Sequence, residues 1–285
     1  MQENGEIKAL LSLIEDPDEE IFQMVKEKFI SIGTGIIPNL EDQYFDEQNP
    51  SLQARIELII NSIYFSEIES DFRKWLEHPV DLLTGAIICA RLGNPHLQPE
   101  LIRESVEKIK KNIWLELNNY LTPIEQINVF NSLFYNFYKF QGNKLSTDAK
   151  QEFLLDQVLK NHKGNYVSLS ILIIHLCHEL DIPVHAVPIP NHLLLAYFDH
   201  SLGDIYFEDE SAAGIKFFIE PSSGQILPIG FVTNFLKAKG LLEETIFKPM
   251  KNIQLIKFLL TQYRKCFDAE SHQFKQITHL LLILN

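Results

Sequence analysis

Residues 164–199 read GNYVSLSILIIHLCHELDIPVHAVPIPNHLLLAYFD, and this stretch decides the fold. Its first part is apolar almost all round, which predicts a buried helix rather than a surface helix. Asp181-Ile182-Pro183 ends that helix. The runs 184–190 and 192–199 predict two neighbouring strands, because both are rich in β-branched and aromatic residues and Pro190-Asn191 separates them.

Three further strand candidates follow. They are IYFEDE at 205–210, IKFFIEP at 215–221 and QILPI at 225–229, with Ser222-Ser223-Gly224 as a turn. A central helix followed by antiparallel strands is typical of α+β proteins. The sequence therefore predicts a helix-rich α+β fold, whose core is a central helix plus an antiparallel sheet.

The order of polar residues along this core is that of a thiol active site. A cysteine nucleophile works best at a helix N-terminus, where the helix dipole lowers its pKa. It needs an imidazole beside it and a carboxylate or amide to orient that imidazole. In this chain His192, on a strand, is in the position expected for the imidazole. Glu220, at the end of a later strand, is in the position expected for the carboxylate. The helix start holds Tyr166 where the thiol is expected.

These motifs resemble the transglutaminase-like superfamily, in the branch typified by the bacterial SirB-type proteins. That branch carries Gly-Asn-Pro-Ile-Ser-Leu-Ser, Gly-Leu-Pro, Pro-x-His-Phe and Asp-Pro-Phe-x-Gly-Gly. The matching segments here are GNYVSLS at 164–170, DIP at 181–183, PNHL at 190–193 and EPSSG at 220–224. Upstream, LTPIEQ at 121–126 and FQGN at 140–143 match the branch's L-x-P-x-E-Q and F-x-G-N. The resemblance implies a papain/transglutaminase-like core.

The chain departs from the family pattern at the nucleophile. Transglutaminase-like enzymes carry a cysteine 17 residues before the proline of the Gly-Ile-Pro turn, and counting back from Pro183 lands on Tyr166. SirB-type proteins typically have proline at that position. In addition, Asp181 replaces the turn glycine, and the acid is Glu220 rather than aspartate. The resemblance therefore implies the fold rather than thiol chemistry.

The sequence predicts a degenerate site at this place. His192 and Glu220 are the candidate catalytic pair, and the candidate ligand-binding residues are Tyr166, Asn165, Ser168 and Asn191. Several of these residues also have a purely structural interpretation. Tyr166 is also explained as a ring that fills the former nucleophile site, and Ser168 as a helix-start hydrogen-bonding group. Cys177, three helical turns further on, is explained by ordinary packing.

No cofactor or metal motif accompanies this pattern. The histidines form no HExxH sequence, and there is no Gly-rich phosphate loop and no EF-hand loop. The sequence therefore predicts neither a metal site nor a cofactor.

The N-terminal third resembles HEAT-type helical repeats. Asp16-Pro17-Asp18 and Asn49-Pro50-Ser51 lie 33 residues apart, and each precedes an apolar-periodic helix. Aspartate or asparagine before proline is favourable helix-start chemistry. Repeat arrays present binding surfaces, so a protein partner is expected on these helices. An ordinary helical domain with similar caps is the alternative.

The C-terminal part predicts another helical pair, 252–267 and 272–284, of the kind found in TPR units. The expected division is a HEAT-like region at 1–99, a transglutaminase-like core at 100–231 and a TPR-like helical cap at 232–285. The oligomeric state is left open by the sequence.

Charge and composition limit the partners. The chain carries a net charge of −13, and residues 1–99 hold 18 acidic and 7 basic residues. This argues against nucleic acid, which needs a basic face. The acidic surface is explained by solubility or by docking of a basic partner.

No apolar run reaches about 18 residues, so no membrane span is expected. The N-terminus lacks signal-peptide features, and three scattered cysteines are typical of a reducing cytoplasm.

Two classes of function follow from these observations. The favoured one is a non-catalytic protein that uses the transglutaminase-like core as a protein- or ligand-binding scaffold. The alternative is a cysteine-independent hydrolase or acyl transferase that uses His192 and Glu220.

Overall fold

The structure is a computed structural model that describes residues 2–46, 49–199, 214–241 and 247–284. The chain divides into two compact units, Met1–Lys74 and Trp75–Asn285. Their boundary lies within a single long helix, Pro50–Glu77. The predicted division at residues 99 and 231 remains a prediction.

The first unit is helical. Its helices are α1 (Gln2–Leu13), α2 (Glu19–Ile32), α3 (Ile37–Asp46) and α4 (Pro50–Glu77), with a 3-10 turn at Thr34–Ile36. Helix α2 begins where the sequence predicts, because the Asp18 carboxylate accepts the Glu20 N–H. Apolar side chains from all four helices form one core, with Phe29 and Ile56 fully buried at its centre. The HEAT-like assignment remains a prediction.

The second unit holds the remaining described helices. They are α5 (Leu82–Ala90), α6 (Pro99–Glu116), α7 (Pro123–Asn131), α8 (Leu155–Asn161), α9 (Tyr166–His178), α10 (Ile229–Ala238), α11 (Asn252–Arg264) and α12 (His272–Ile283). A π-helical turn, Ser132–Phe137, extends α7, and a 3-10 turn, Lys150–Phe153, precedes α8. A capping box of Thr122 and Glu125 begins α7. The predicted C-terminal pair is present as α11 and α12.

Helix α9 is the central helix that the apolar run predicts. Residues on every side of it, from Val167 through Leu172 to Cys177, are buried. A helix surrounded by protein has no polar face, and this explains why its sequence lacks amphipathic periodicity.

A small parallel sheet, which the sequence analysis does not predict, precedes α9. Its strands are β1 (Gln141–Asn143) and β2 (Lys163–Asn165), with Gly142 opposite Gly164. Three-residue strands that contain glycine carry no β-propensity signal. Their pairing depends on tertiary contacts, such as the Gly142 N–H that donates to the Ser222 carbonyl at 3.2 Å.

The main sheet is antiparallel, in the order β3 (Val184–Ile189), β4 (His192–Phe198), β5 (Ile215–Ile219) and β6 (Ile226–Leu227). Asn191, at φ +61°, turns the chain between β3 and β4. Leu194, Phe198 and Phe218 share a core with Leu236 of α10. The helix-rich α+β fold is confirmed; the strand predicted at 205–210 lies outside the described residues.

No helix among the described residues has the length and apolar character needed to cross a membrane.

Candidate functional site

The start of α9 is fixed by a buried cap. The Asn165 Oδ1 atom accepts the N–H groups of Val167 and Ser168 at 3.0 and 3.1 Å, and the Ser168 hydroxyl accepts the Asn165 N–H at 3.2 Å. Both side chains also donate to the Glu152 carbonyl, at 3.3 Å from Asn165 and 2.6 Å from Ser168. These bonds give the two residues a capping role. Their predicted ligand-binding role remains a prediction.

Tyr166 is the first residue of α9, and its ring lies against His192. The two ring centroids are 4.4 Å apart with an interplanar angle of 62°, which is an edge-to-face contact. The Tyr166 side chain is mostly buried, and its hydroxyl makes no hydrogen bond to the part of the chain that the structure describes. Burial, and then the nearby charge of Glu220, raise the pKa of this hydroxyl, so it stays protonated at neutral pH.

His192 and Glu220 form a hydrogen-bonded pair across β4 and the end of β5. His192 Nε2 lies 2.9 Å from Glu220 Oε2, with 29% of the histidine and 24% of the glutamate side chain exposed. The other carboxylate oxygen accepts the Ser222 N–H at 3.2 Å. Burial acts to raise the pKa of Glu220, but the hydrogen bonds from His192 and Ser222 outweigh it and hold that pKa below its ordinary value. Glu220 is therefore a carboxylate at neutral pH.

The structure thus brings Tyr166, His192 and Glu220 together in one place. Asn191 lies in the adjoining turn, where its side chain is exposed and makes no hydrogen bond to the described residues. The functional role of each of these residues remains a prediction.

The loop that carries Glu220 is held by two residues that the sequence analysis does not identify. The Tyr135 hydroxyl donates to the Pro221 carbonyl at 2.7 Å, and Asn131 Nδ2 donates to the Gly224 carbonyl at 2.7 Å. Gly224 turns there at φ +73°. No local pattern marks these two residues, because their partners lie 93 residues from Asn131 and 86 residues from Tyr135 along the chain.

The described site holds no thiol. Cys89, Cys177 and Cys266 are all buried and unpaired. Burial raises the pKa of Cys89 to about 12 and raises the pKa of Cys177 further. Among the described residues, no cluster of three or more histidine, cysteine or acidic side chains is arranged to hold a metal ion.

The LTPIEQ and FQGN segments make contacts that hold neighbouring elements together. Gln126, from the LTPIEQ segment, accepts the hydroxyl of Tyr197 at 2.8 Å and so ties α7 to the central strand β4. The FQGN segment supplies β1, which packs against the Glu220 loop through Gly142. Both segments therefore position the site without lying in it.

Comparison with known proteins agrees with this architecture. A family model described as the transglutaminase-like superfamily matches residues 100–261, which is more than half of the chain. The chain therefore belongs to the transglutaminase-like superfamily. Within that superfamily it is a SirB-type member, as its relatives indicate.

Three relatives illustrate the match. A UPF0162 protein of Vibrio cholerae is 28% identical over 117 residues, covering 41% of this chain and 43% of the relative. Protein SirB1 of Salmonella typhimurium is 24% identical over 146 residues, covering 51% and 50%. The UPF0162 protein YchA of Escherichia coli is 26% identical over 114 residues, covering 40% and 42%. The aligned region thus spans about half the length of these relatives, or slightly less. No solved structure matches the chain.

Proposed function

We propose that this chain is a non-catalytic member of the transglutaminase-like superfamily, whose core serves as a protein- or ligand-binding scaffold. The observation that carries the proposal is the ring of Tyr166 at the start of α9, 4.4 Å from the His192 ring, where a thiol active site needs its sulfur. In this proposal Tyr166 replaces the nucleophilic cysteine of the catalytic relatives.

The state of the cysteines supports the absence of thiol chemistry. A cysteine nucleophile acts as the thiolate and needs partial exposure and a positive environment. The three thiols here are buried, and burial raises their pKa values. Cys177 shares α9 with Tyr166 but is fully buried, so it does not replace the missing sulfur.

The retained polar pair supports ligand binding. His192 and Glu220 remain partly exposed and hydrogen-bonded, and the Tyr166 hydroxyl beside them has no partner among the described residues. Together they offer an imidazole, a carboxylate and a free hydroxyl to a molecule that reaches this surface. The N-terminal helices are the surface on which we expect a protein partner, and they expose Met24 and Phe45.

The alternative is a cysteine-independent hydrolase or acyl transferase. The observation that favours it is the 2.9 Å contact between His192 and Glu220, because a carboxylate-oriented imidazole can act as a general base toward water.

The two functions are separated by measuring hydrolysis of p-nitrophenyl acetate and of a glutamine-containing peptide amide. The wild type is compared with the His192→Ala and Glu220→Gln variants. A scaffold gives equal background rates in all three proteins. A wild-type rate that both substitutions lower by about a hundredfold or more, as expected for loss of a general base, overturns the proposal in favour of the alternative.

A further inference from the structure

A cavity of about 380 Å³ lies beside the edge strand β3 in the second unit. Its walls come from the turn before α5, from the last turns of α9, from β3 and from residues 250–255. None of Tyr166, His192 and Glu220 lines it. The volume is in the range of small-molecule sites, which start at about 300 Å³.

Hydrogen bonds between separate segments hold these walls in place. The Met250 N–H donates to the Ala186 carbonyl of β3 at 2.8 Å. Asn252 Nδ2 donates to the carbonyls of Pro79 and Val80, at 3.1 and 2.7 Å. Because residues far apart in sequence are tied around the opening, the cavity is formed without a ligand.

One wall is made of two imidazole rings. The centroids of the His178 and His185 rings are 4.8 Å apart, and His178 Nε2 donates to the Val184 carbonyl at 3.0 Å. Burial lowers the pKa of His185 to about 4, so this ring is neutral at physiological pH. Neutral rings beside Ile174 and Leu255 present a weakly polar surface that suits an apolar or aromatic group.

The charge of the lining differs from that of the chain. The protein has 38 acidic residues and a net charge of −13, yet no aspartate or glutamate is among the lining residues. Lys251 lines the cavity, with its side chain against the first turn of α11, and forms no ion pair with the residues that the structure describes. The cavity therefore combines a largely apolar lining with one lysine.

We propose that this cavity is a second ligand site, for a small and largely apolar molecule that carries one carboxylate. The ammonium of Lys251 binds the carboxylate, and the wall of His178 and His185 contacts the apolar body. The site is independent of the function proposed above, because it shares no lining residue with the Tyr166 site.

Binding of 4-phenylbutyrate, followed by NMR of the histidine ring protons and by calorimetry, tests the proposal. We expect saturable binding that shifts the His178 and His185 signals. Lys251→Gln should weaken this binding about tenfold, which corresponds to one charge-assisted hydrogen bond. The matched control is Lys248→Glu, an exposed lysine outside the lining, which should leave the affinity within about twofold. The uncharged 4-phenylbutanol should bind more weakly, and equally to the wild type and Lys251→Gln.

A second variant tests the location without disturbing the core. Val80 lines the cavity with 84% of its surface exposed, so Val80→Trp should fold normally and obstruct the opening. We expect it to abolish 4-phenylbutyrate binding, while His192→Ala keeps that binding. No saturable binding to the wild type, equal affinity for Lys251→Gln, or unchanged binding to Val80→Trp would each overturn the proposal.

Discussion

The Tyr166 ring meets the His192 ring edge to face, with the two centroids 4.4 Å apart. The Tyr166 ring thereby lies against the imidazole at the start of α9. His192 in turn keeps its hydrogen bond to Glu220 at 2.9 Å. The three side chains therefore form one contiguous group, in which Tyr166 contacts His192 and His192 contacts Glu220.

This relationship predicts what a cysteine at position 166 would do. In a Tyr166→Cys variant the thiol lies at a helix N-terminus beside an imidazole, so its pKa should fall at least about one unit below the ordinary value of about 8.5. The measurement is the pH dependence of alkylation by iodoacetamide. The wild type is the first control, because its three cysteines are buried. Equal alkylation profiles with and without a second His192→Ala substitution would contradict the geometry.

The hydrogen bonds to Glu220 predict a pH-dependent contribution to stability. Its pKa is lower in the folded protein than the ordinary value of 4.5, so folding favours the carboxylate. The stabilisation is complete above pH 4.5 and is lost as the pH falls through the lower folded-state pKa. The Glu220→Gln variant lacks this pH-dependent stabilisation. The difference in unfolding free energy between wild type and variant should therefore be about 1 kcal/mol at neutral pH and shrink in acid. Urea unfolding measures this, and the exposed Glu116→Gln variant should follow the wild type.

The bond from Tyr135 to the Pro221 carbonyl predicts a second contribution to the Glu220 loop. A Tyr135→Phe variant leaves that carbonyl without its donor and should lose about 1 kcal/mol of unfolding free energy. Tyr120 is 95% exposed, so Tyr120→Phe should be neutral in the same urea titration. A neutral Tyr135→Phe variant would show that the loop is held without this bond.

The cap at the start of α9 predicts that replacing Asn165 costs more stability than replacing Tyr135. Its amide accepts two backbone N–H groups and donates to Glu152, all in the interior, so Asn165→Ala should cost about 2 kcal/mol. Ser170 is equally buried, but its hydroxyl only donates to the Tyr166 carbonyl one turn back. Ser170→Ala should therefore change stability by less than about 1 kcal/mol. Thermal unfolding of both variants decides whether Asn165 is primarily a capping residue.

The sequence predicted the elements whose signal is local. The apolar run of α9 and the strands of residues 184–199 are found where the pattern indicates. The position of Tyr166 relative to Pro183, and the order of His192 and Glu220 along the chain, also identified three residues that lie close together in the structure. The strands β1 and β2 could not be predicted, because three-residue segments acquire strand geometry only through tertiary pairing. The roles of Tyr135 and Asn131 depend on contacts to residues about 90 positions away, which no local pattern contains.

A substitution at Gly142 tests whether the short parallel sheet positions the Glu220 loop. A Cβ atom at this position would lie 2.2 Å from the Cα of Ser222, which is backbone and has to move. Gly142→Ala should therefore cost about 1–3 kcal/mol of unfolding free energy and disturb the contact between Glu220 and His192. The matched control is Gly230→Ala in α10, where a Cβ atom meets nothing within 4 Å and helix propensity should raise stability by about 0.5 kcal/mol. Urea unfolding gives the stabilities, and the His192 ring proton shifts report the contact. Unchanged stability and unchanged His192 shifts in Gly142→Ala would show that β1 does not position this loop.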